Sequence, residues 1–385
     1  MSHLRGPVMS IEFRYVGRDE YPRVSQFLDQ HWAKNHIYVR ERPLFDWTFT
    51  RKNHWDGGTY SFAVAENAGE IVAILGGIPF TFNCLGKSSE AVWIVNYAVR
   101  PDHRRGPAAL QLLSTFRRSP FQAVIASGLN PASTVIYKVL RGIVLPEMPR
   151  HLAVLPMAAH RMADLLQLAH SDWTRERAEA VTSAFVLPKQ TDQVVEHGRA
   201  LPASWDEIDW PAIASKTVGA ARDTDYLNWR YVEHPSFKYG IVTVPEGART
   251  GLAVWRLEPI QQETPEGRIV VDRLARLVEF LPASESNGRE LIAALLGEVR
   301  AAGALGVDFY GYHGPTRTIL EQNGIVSIEA HQDGTLIPSR FQPLDTHGGG
   351  ILNAMFVQEG LPGCTTTPDS PWYWTKSDSD QDRPN

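Results

Sequence analysis

Residues 99–113, "VRPDHRRGPAALQLL", join the end of an apolar run to an amphipathic stretch through a turn carrying His103, Arg104 and Arg105. A helix that starts directly after a strand leaves its first backbone N–H groups unpaired and aims the positive end of its dipole outward. That arrangement is a ready site for a pyrophosphate, and the arginines make the local field strongly positive. Pro107 stands inside the turn and lacks an N–H, although its fixed φ suits the first turn of a helix. A second group with chemical capacity follows at 129–142, "LNPASTVIYKVLRG", where Asn130 and Tyr137 flank a predicted helix start. A phenol is neutral at pH 7 and can donate a proton to a leaving group as negative charge develops there.

The elements that must position these residues follow from periodicity. "SFAVAE" (61–66), "EIVAILGGI" (70–78), "AVWIVNYAV" (91–99) and "FQAVIA" (121–126) read as strands, with "NAGE" as a hairpin turn between the first two. Ala109, Leu112, Leu113 and Phe116 recur at helical spacing between the third and fourth strands. The second half repeats the order with "YGIVTV" (239–244), "GLAVWRL" (251–257), "ARLVEFL" (275–281), a helix around Leu291–Val299 and "GVDFYGY" (306–312). Trp47 in "PLFDWTFTRKNHW" and Trp229 in "DYLNWRYVEHPSF" stand 182 positions apart, as do Gly142 and Gly324. A shared offset at separated landmarks points to a duplicated α/β domain with a mixed sheet. The 385 residues suit two domains of about 150–200 residues. The expected bounds are 10–158, a helical bridging segment 159–215, 216–368, and an extended, solvated tail 369–385.

The order strand, basic turn, helix, strand, then Asn and Tyr resembles the GNAT acetyltransferase superfamily, in which the turn R/Q-x-x-G-x-G/A holds the pyrophosphate of coenzyme A. The resemblance implies two tandem GNAT-like domains, each a mixed, mostly antiparallel sheet flanked by helices. It places the cofactor at Val99, Arg104, Arg105, Gly106, Ala108, Ala109 and Asn130, and implies that Tyr137 protonates the departing thiolate. Pro107 falls where the family has its first Gly, so one phosphate-binding amide is missing. The second copy has "LPASESNGREL" (281–291) in place of the basic turn, and the 182 offset pairs Tyr137 with Ile319. An anionic cofactor is therefore expected in the first copy alone, with the second copy's cleft holding the acceptor or bracing its partner.

Segment 31–47, "HWAKNHIYVRERPLFDW", and the ending "DSDQDRPN" look like tandem-GNAT proteins encoded with surface-polysaccharide genes. That likeness implies an acyl group moving from acyl-CoA, either acetyl-CoA or a short hydroxyacyl-CoA, to the amine of a nucleotide-linked amino sugar by direct attack. Such an acceptor needs aromatic faces and cations. Trp32, Trp47, Trp55, Tyr226, Trp229 and Arg230 are candidates, Trp229 and Arg230 first, although their repetition from the first half also suits a structural role. His36, His54 and His313 are candidate bases, with His36 and His313 preferred, and water as the sole proton acceptor is the alternative. Another small amine or protein amine, and a non-catalytic CoA-binding module, are the alternatives.

Composition narrows the remainder. A net charge of −5 gives no support for nucleic-acid or general membrane binding. No segment approaches the ~18 apolar residues of a membrane span. Cys84 and Cys364 are the only cysteines, so neither a disulfide scaffold nor a cysteine-rich metal site is expected, and a cytoplasmic setting fits. No metal is expected: Asp378, Asp380 and Asp382 alternate as in a calcium loop but lack its glycine and distal glutamate.

Overall fold

Period-two apolar runs become strands, and the computed structural model describes residues 11–55, 57–104, 106–118, 121–188, 205–332, 334–346, 349–358 and 371–383. The first half runs β1 (Glu12–Gly17), α1 (Tyr21–His31), α2 (Ile37–Arg40), α3 (Arg42–Phe49), β2 (Thr59–Asn67), β3 (Glu70–Cys84), β4 (Lys87–Val99), α4 (Ala108–Arg117), β5 (Ala123–Leu129), α5 (Pro131–Val139), β6 (Ile143–Val144) and β7 (Arg150–Val154). There follow α6 (Ala159–Ala169), α7 (Arg175–Ser183), α8 (Trp210–Ala214), β8 (Val218–Ala220) and α9 (Thr224–Leu227), which continues into a π-helical turn over Asn228–Val232. The second half continues with β9 (Gly240–Glu246), β10 (Arg249–Thr264), β11 (Gly267–Leu281), α10 (Glu285–Ala301), β12 (Gly306–Tyr310), α11 (Gly314–Gln322), β13 (Val326–Ser327), β14 (Arg340–Phe341), β15 (Leu344–Asp345), β16 (Leu352–Val357) and β17 (Trp372–Tyr373).

Besides the small β14/β15 hairpin, two mostly antiparallel sheets result, ordered β1-β2-β3-β4-β5-β16-β6 and β13-β7-β12-β11-β10-β9, each with a parallel pair at its centre, β4/β5 and β11/β12; β8 adds to β3 of the first sheet and carries β17 parallel to it. The duplication is visible in the register. Trp93 pairs with Ile125 in the first sheet, and Ala275 pairs with Val307 in the second, each 182 residues on. Trp47 and Trp229 stack on each other across the seam between the halves, with centroids 4.6 Å apart and planes 12° apart. Beyond the sheets the offset grows by one. The left-handed residues that close α5 and α11 are Arg141 and Gly324, and the N-caps are Asn130 and His313. Tyr137 therefore corresponds to Leu320, one residue from the Ile319 that the glycine landmarks indicate.

Three expectations about boundaries change. The halves exchange strands, since β7 of the first half lies in the second sheet and β16 of the second half lies between β5 and β6. Helices α6 and α7 do more than bridge, because Met162, Leu166 and Val181 are buried in the core of the second sheet. The tail is not solvated: Trp374, Asp378 and Asp382 are at most 2% exposed.

Its aspartates are buried because arginines await them. Asp378 accepts from Arg222 Nη2 at 2.8 Å, and Arg222 Nε reaches Glu279 at 2.6 Å. Asp382 accepts from Arg256 at 2.6 Å, Arg230 donates to the Asp382 and Ser377 carbonyls at 2.8 Å, and Arg256 and Arg276 share Glu258. Burial alone would raise the Asp382 carboxyl, but Arg256 and Arg230 outweigh it and hold it below the ordinary carboxylate range. A depressed carboxyl contributes stability at neutral pH that is lost as pH falls through its folded value. Asp382→Ala, which leaves two buried guanidiniums short of a carboxylate, is expected to lower stability in urea unfolding by about 3–5 kcal/mol. A change under about 1 kcal/mol would show that water or neighbouring carbonyls suffice for these cations.

Candidate functional site

Strands β4 and β5 pair over four rungs, Ala91↔Ala123 to Ile94↔Ala126, and then part. The cause is a bulge in β4, where the register against β3 shifts and Asn96 takes φ 51°, a left-handed conformation uncommon outside glycine. Divergence opens a wedge whose lining is unusually unsatisfied. Asn96 is 5% exposed, yet neither its amide oxygen nor its amide nitrogen has a partner. The Tyr97 hydroxyl is likewise buried and unpaired. Tyr137 on α5 is buried, stacked on Phe356 of the exchanged strand at 4.8 Å, with no hydrogen bond from its hydroxyl among the described residues. Burial pushes both phenols well above their ordinary pKa, so both keep their protons at neutral pH. Unpartnered buried amides and hydroxyls cost about 1–3 kcal/mol each and cluster where a ligand completes them.

The far end of the wedge is closed by the second half. Ser127 Oγ donates to Asn353 Oδ1, and Asn353 Nδ2 donates to the Tyr312 hydroxyl at 2.8 Å. Gln381 from the tail donates to the Ser127 carbonyl at 3.1 Å and lies over Gly128, φ 72°, where a Cβ would come within 2.6 Å of it.

At the near end lies the basic corner. Pro101–His103 form a 3-10 turn, Arg104 Nε donates to the Val99 carbonyl at 3.2 Å, and Arg105 lies outside the described residues. The Gly106 amide is already bonded to the His103 carbonyl at 3.1 Å, so it is not available to a ligand as the turn pattern implies. Pro107 is the N-cap of α4, without a capping side chain, and Gln111 is the first residue of the helix to find a carbonyl, that of Pro107 at 3.0 Å. Among the described residues the amides of Ala108, Ala109 and Leu110 have no carbonyl partner. A proline at the N-cap removes none of these three donors. Asn130 caps α5, its Oδ1 accepting from the Ser133 amide at 2.8 Å and the Ser133 hydroxyl at 3.0 Å, which leaves its Nδ2 for a ligand.

Other expected site residues lie elsewhere. Trp229 belongs to the seam stack and Arg230, 2% exposed, is fully engaged by the tail, so neither is open to a diphosphate. His36 caps α2 through Nδ1, and burial with Arg383 and Arg40 lowers its pKa to about 3. His313 begins α11, its Nδ1 3.0 Å from Thr316 Oγ1, and burial lowers it to about 4. Both are neutral, weak bases. His54 sits between Glu90 and Asp225, and the Tyr226 hydroxyl faces Asp378. Trp55 packs edge-on against Tyr15, while Trp32 is 43% exposed. Asn96 and Tyr97 are not among the residues expected from the sequence, although "NY" interrupts an otherwise apolar run. Among the described residues no cluster could hold a metal ion, and no helix is long and apolar enough to cross a membrane.

No protein-family model matches the chain, and no curated protein matches it in sequence. Its structure is similar to that of N-myristoyltransferase from Saccharomyces cerevisiae with bound myristoyl-CoA, at TM-score 0.54 and 13% identity over 92% of this chain and 85% of that one. A GCN5-related N-acetyltransferase from Kribbella flavida superposes at TM-score 0.51 and 14% identity, covering 91% and 71%. A conserved Enterococcus faecalis protein of unknown function, a probable N-acyltransferase, gives 0.54 and 10%, covering 91% and 73%. The fold is thus GNAT-like, built twice in one chain.

Asn96→Gly removes the unpaired amide and suits the left-handed backbone. The unliganded variant is expected to unfold in urea at the same or a higher denaturant concentration. A loss above about 1 kcal/mol would give Asn96 a structural role instead.

Proposed function

We propose that the protein is an acyl-CoA-dependent N-acyltransferase whose donor lies in the wedge between β4 and β5. The observation that carries this reading is the conjunction, in one split, of helix-start amides at Ala108, Ala109 and Leu110 without a carbonyl partner among the described residues and buried unpartnered polar groups at Asn96 and Tyr97. The amides and Arg104 suit a pyrophosphate, and Asn130 Nδ2 suits an amide of the pantetheine arm. The similar N-myristoyltransferase, solved with myristoyl-CoA, supports the same donor class.

The chemistry is direct attack in a ternary complex. The amine lone pair forms the C–N bond, the C–S bond breaks, Tyr137 gives its proton to the thiolate, and the ammonium formed loses one proton to solvent. Tyr137 then regains a proton from solvent, so the cycle closes. Neither His36 nor His313 fits a dedicated base, since an imidazole with pKa about 3 or 4 binds a proton too weakly to take one efficiently.

For the acceptor, the likeness of segment 31–47 supports the amine of a nucleotide-linked amino sugar. Another small amine is the alternative reading.

Two measurements test this. Coenzyme A is expected to bind once per chain by calorimetry, and Arg104→Ala to weaken it about tenfold, as for one charged hydrogen bond. Two equal sites would overturn the asymmetry between the copies. Tyr137→Phe keeps the Phe356 stack and is expected to lower turnover ~10²-fold with coenzyme A affinity intact. Unchanged turnover would remove Tyr137 from the reaction, and no turnover of any acyl-CoA with a panel of amines, nucleotide-linked amino sugars included, would leave only a CoA-binding module.

A further inference from the structure

The second copy has its own wedge. Strands β11 and β12 pair over Ala275↔Val307 to Leu277↔Phe309 and then separate, as their counterparts do. Beyond the split lies a cavity of about 460 Å³, within the usual range for small-molecule sites. Its wall is apolar: Ile213, Phe280, Leu281, Pro282, Ile319 and Tyr373. Lys216 and Arg249 line its mouth, both exposed, and neither forms an ion pair among the described residues, while Glu246 and Glu207 stand behind it, accepting from Ser284 Oγ at 2.7 Å and from Thr250 Oγ1 at 3.3 Å. Helices α10 and α11 both begin there, at Ser284 and His313; Ser284 caps α10 by accepting from the Asn287 amide, whereas His313 supplies no side-chain cap to α11, whose first-turn donors are Gly314 and Thr316 because Pro315 has no N–H. Asp209 is the acidic residue among the lining groups, and its Oδ1 accepts from the Ala212 amide at 3.3 Å as the cap of α8. His313 is neutral, with Nδ1 directed to Thr316, which leaves Nε2 for a ligand.

We infer that this cavity is the binding site of a second small ligand, one with an apolar body and a single anionic head, a carboxylate or a phosphate monoester. The body displaces water from the apolar wall, and the head meets Lys216, Arg249 and the start of α11. A nucleotide cofactor fits poorly, because the corner between β11 and α10, Pro282–Ser284, carries no arginine, and Asn287 in the first turn of α10 is turned inward to the Val244 carbonyl at 2.9 Å. A route to the other wedge exists, since Tyr312, next to His313, holds Asn353 and through it Ser127 at the end of β5. The inference does not depend on the acyltransferase reading.

Calorimetry on the full chain with decanoate, decyl phosphate and decanol tests the site, with coenzyme A titrated separately into every variant. Decanoate or decyl phosphate is expected to bind once per chain, and the stronger of the two identifies the head group. Ala212→Trp, which fills the cavity from the half-buried helix α8, is expected to weaken both at least tenfold. The pair Lys216→Glu and Arg249→Glu is expected to weaken both anions at least tenfold while changing decanol less than twofold. Coenzyme A affinity is expected to stay within twofold throughout; if coenzyme A fails to bind the parent protein, the donor reading fails and this one stands. Absence of binding by both anions, anion affinity indifferent to charge reversal, or competition for the cavity by a nucleotide sugar that excludes alkyl anions would each overturn the inference.

Discussion

Buried guanidiniums dictate how this chain closes. Arg150, Arg222, Arg230, Arg256 and Arg276 are all at most 5% exposed, and they come from β7, the segment before α9, the π-helical turn, β10 and β11. A charge so placed persists only with its carboxylates and carbonyls in position, because removing a single partner leaves an uncompensated ion in a poorly solvated interior. Glu258, Glu279 and Asp308 supply part of the compensation from the second sheet, and Asp378 and Asp382 supply the rest from the tail. The seam between the halves is therefore complete only when the last residues of the chain are seated.

That requirement reaches the first wedge. Seating Asp378 and Asp382 carries Gln381 onto the Ser127 carbonyl, while strand exchange brings Phe356 under Tyr137 and Asn353 against Ser127. Three of the side chains that bound the first copy's wedge are thus encoded in the last 35 or so residues of the chain. The second copy lacks the basic corner, yet it cannot be dispensed with, since without it the wedge has neither an end nor a floor.

Local pattern carried most of the elements and little of the seam. Strands and helices appeared where alternation and helical spacing indicate, and the Trp47 and Trp229 repeat led to a real symmetric stack, because apolar periodicity reports directly on burial. Pairings between distant charges leave no local trace. Arg230 looked like a free cation, and "DSDQD" looked like a solvated tail, because each is polar alone and buried only in the other's company. Lys216 and Arg249 escaped for a similar reason, lying in segments remote from the corner they serve. Asn96 was readable as a polar interruption of a buried strand, but its conformation depends on the bulge, which only pairing with β3 reveals.

The two wedges show how one scaffold holds different chemistries at equivalent positions. In the first, the bulge carries Asn96 in a strained left-handed conformation with its amide unpaired, followed by the free hydroxyl of Tyr97. In the second, 182 residues on, the same bulge carries Val278 with no such strain, followed by Glu279, which Arg222 and the hydroxyls of Tyr231 and Tyr373 hold fast. Strain and unpaired polar groups lower stability unless a bound partner offsets them, whereas a packed valine and a paired carboxylate raise it. The second wedge has thus committed its floor to the seam and kept only its outer part open. That outer part is walled by aliphatic and aromatic carbon with cations at its lip, so the equivalent cleft of the second copy presents a different surface from the basic corner of the first.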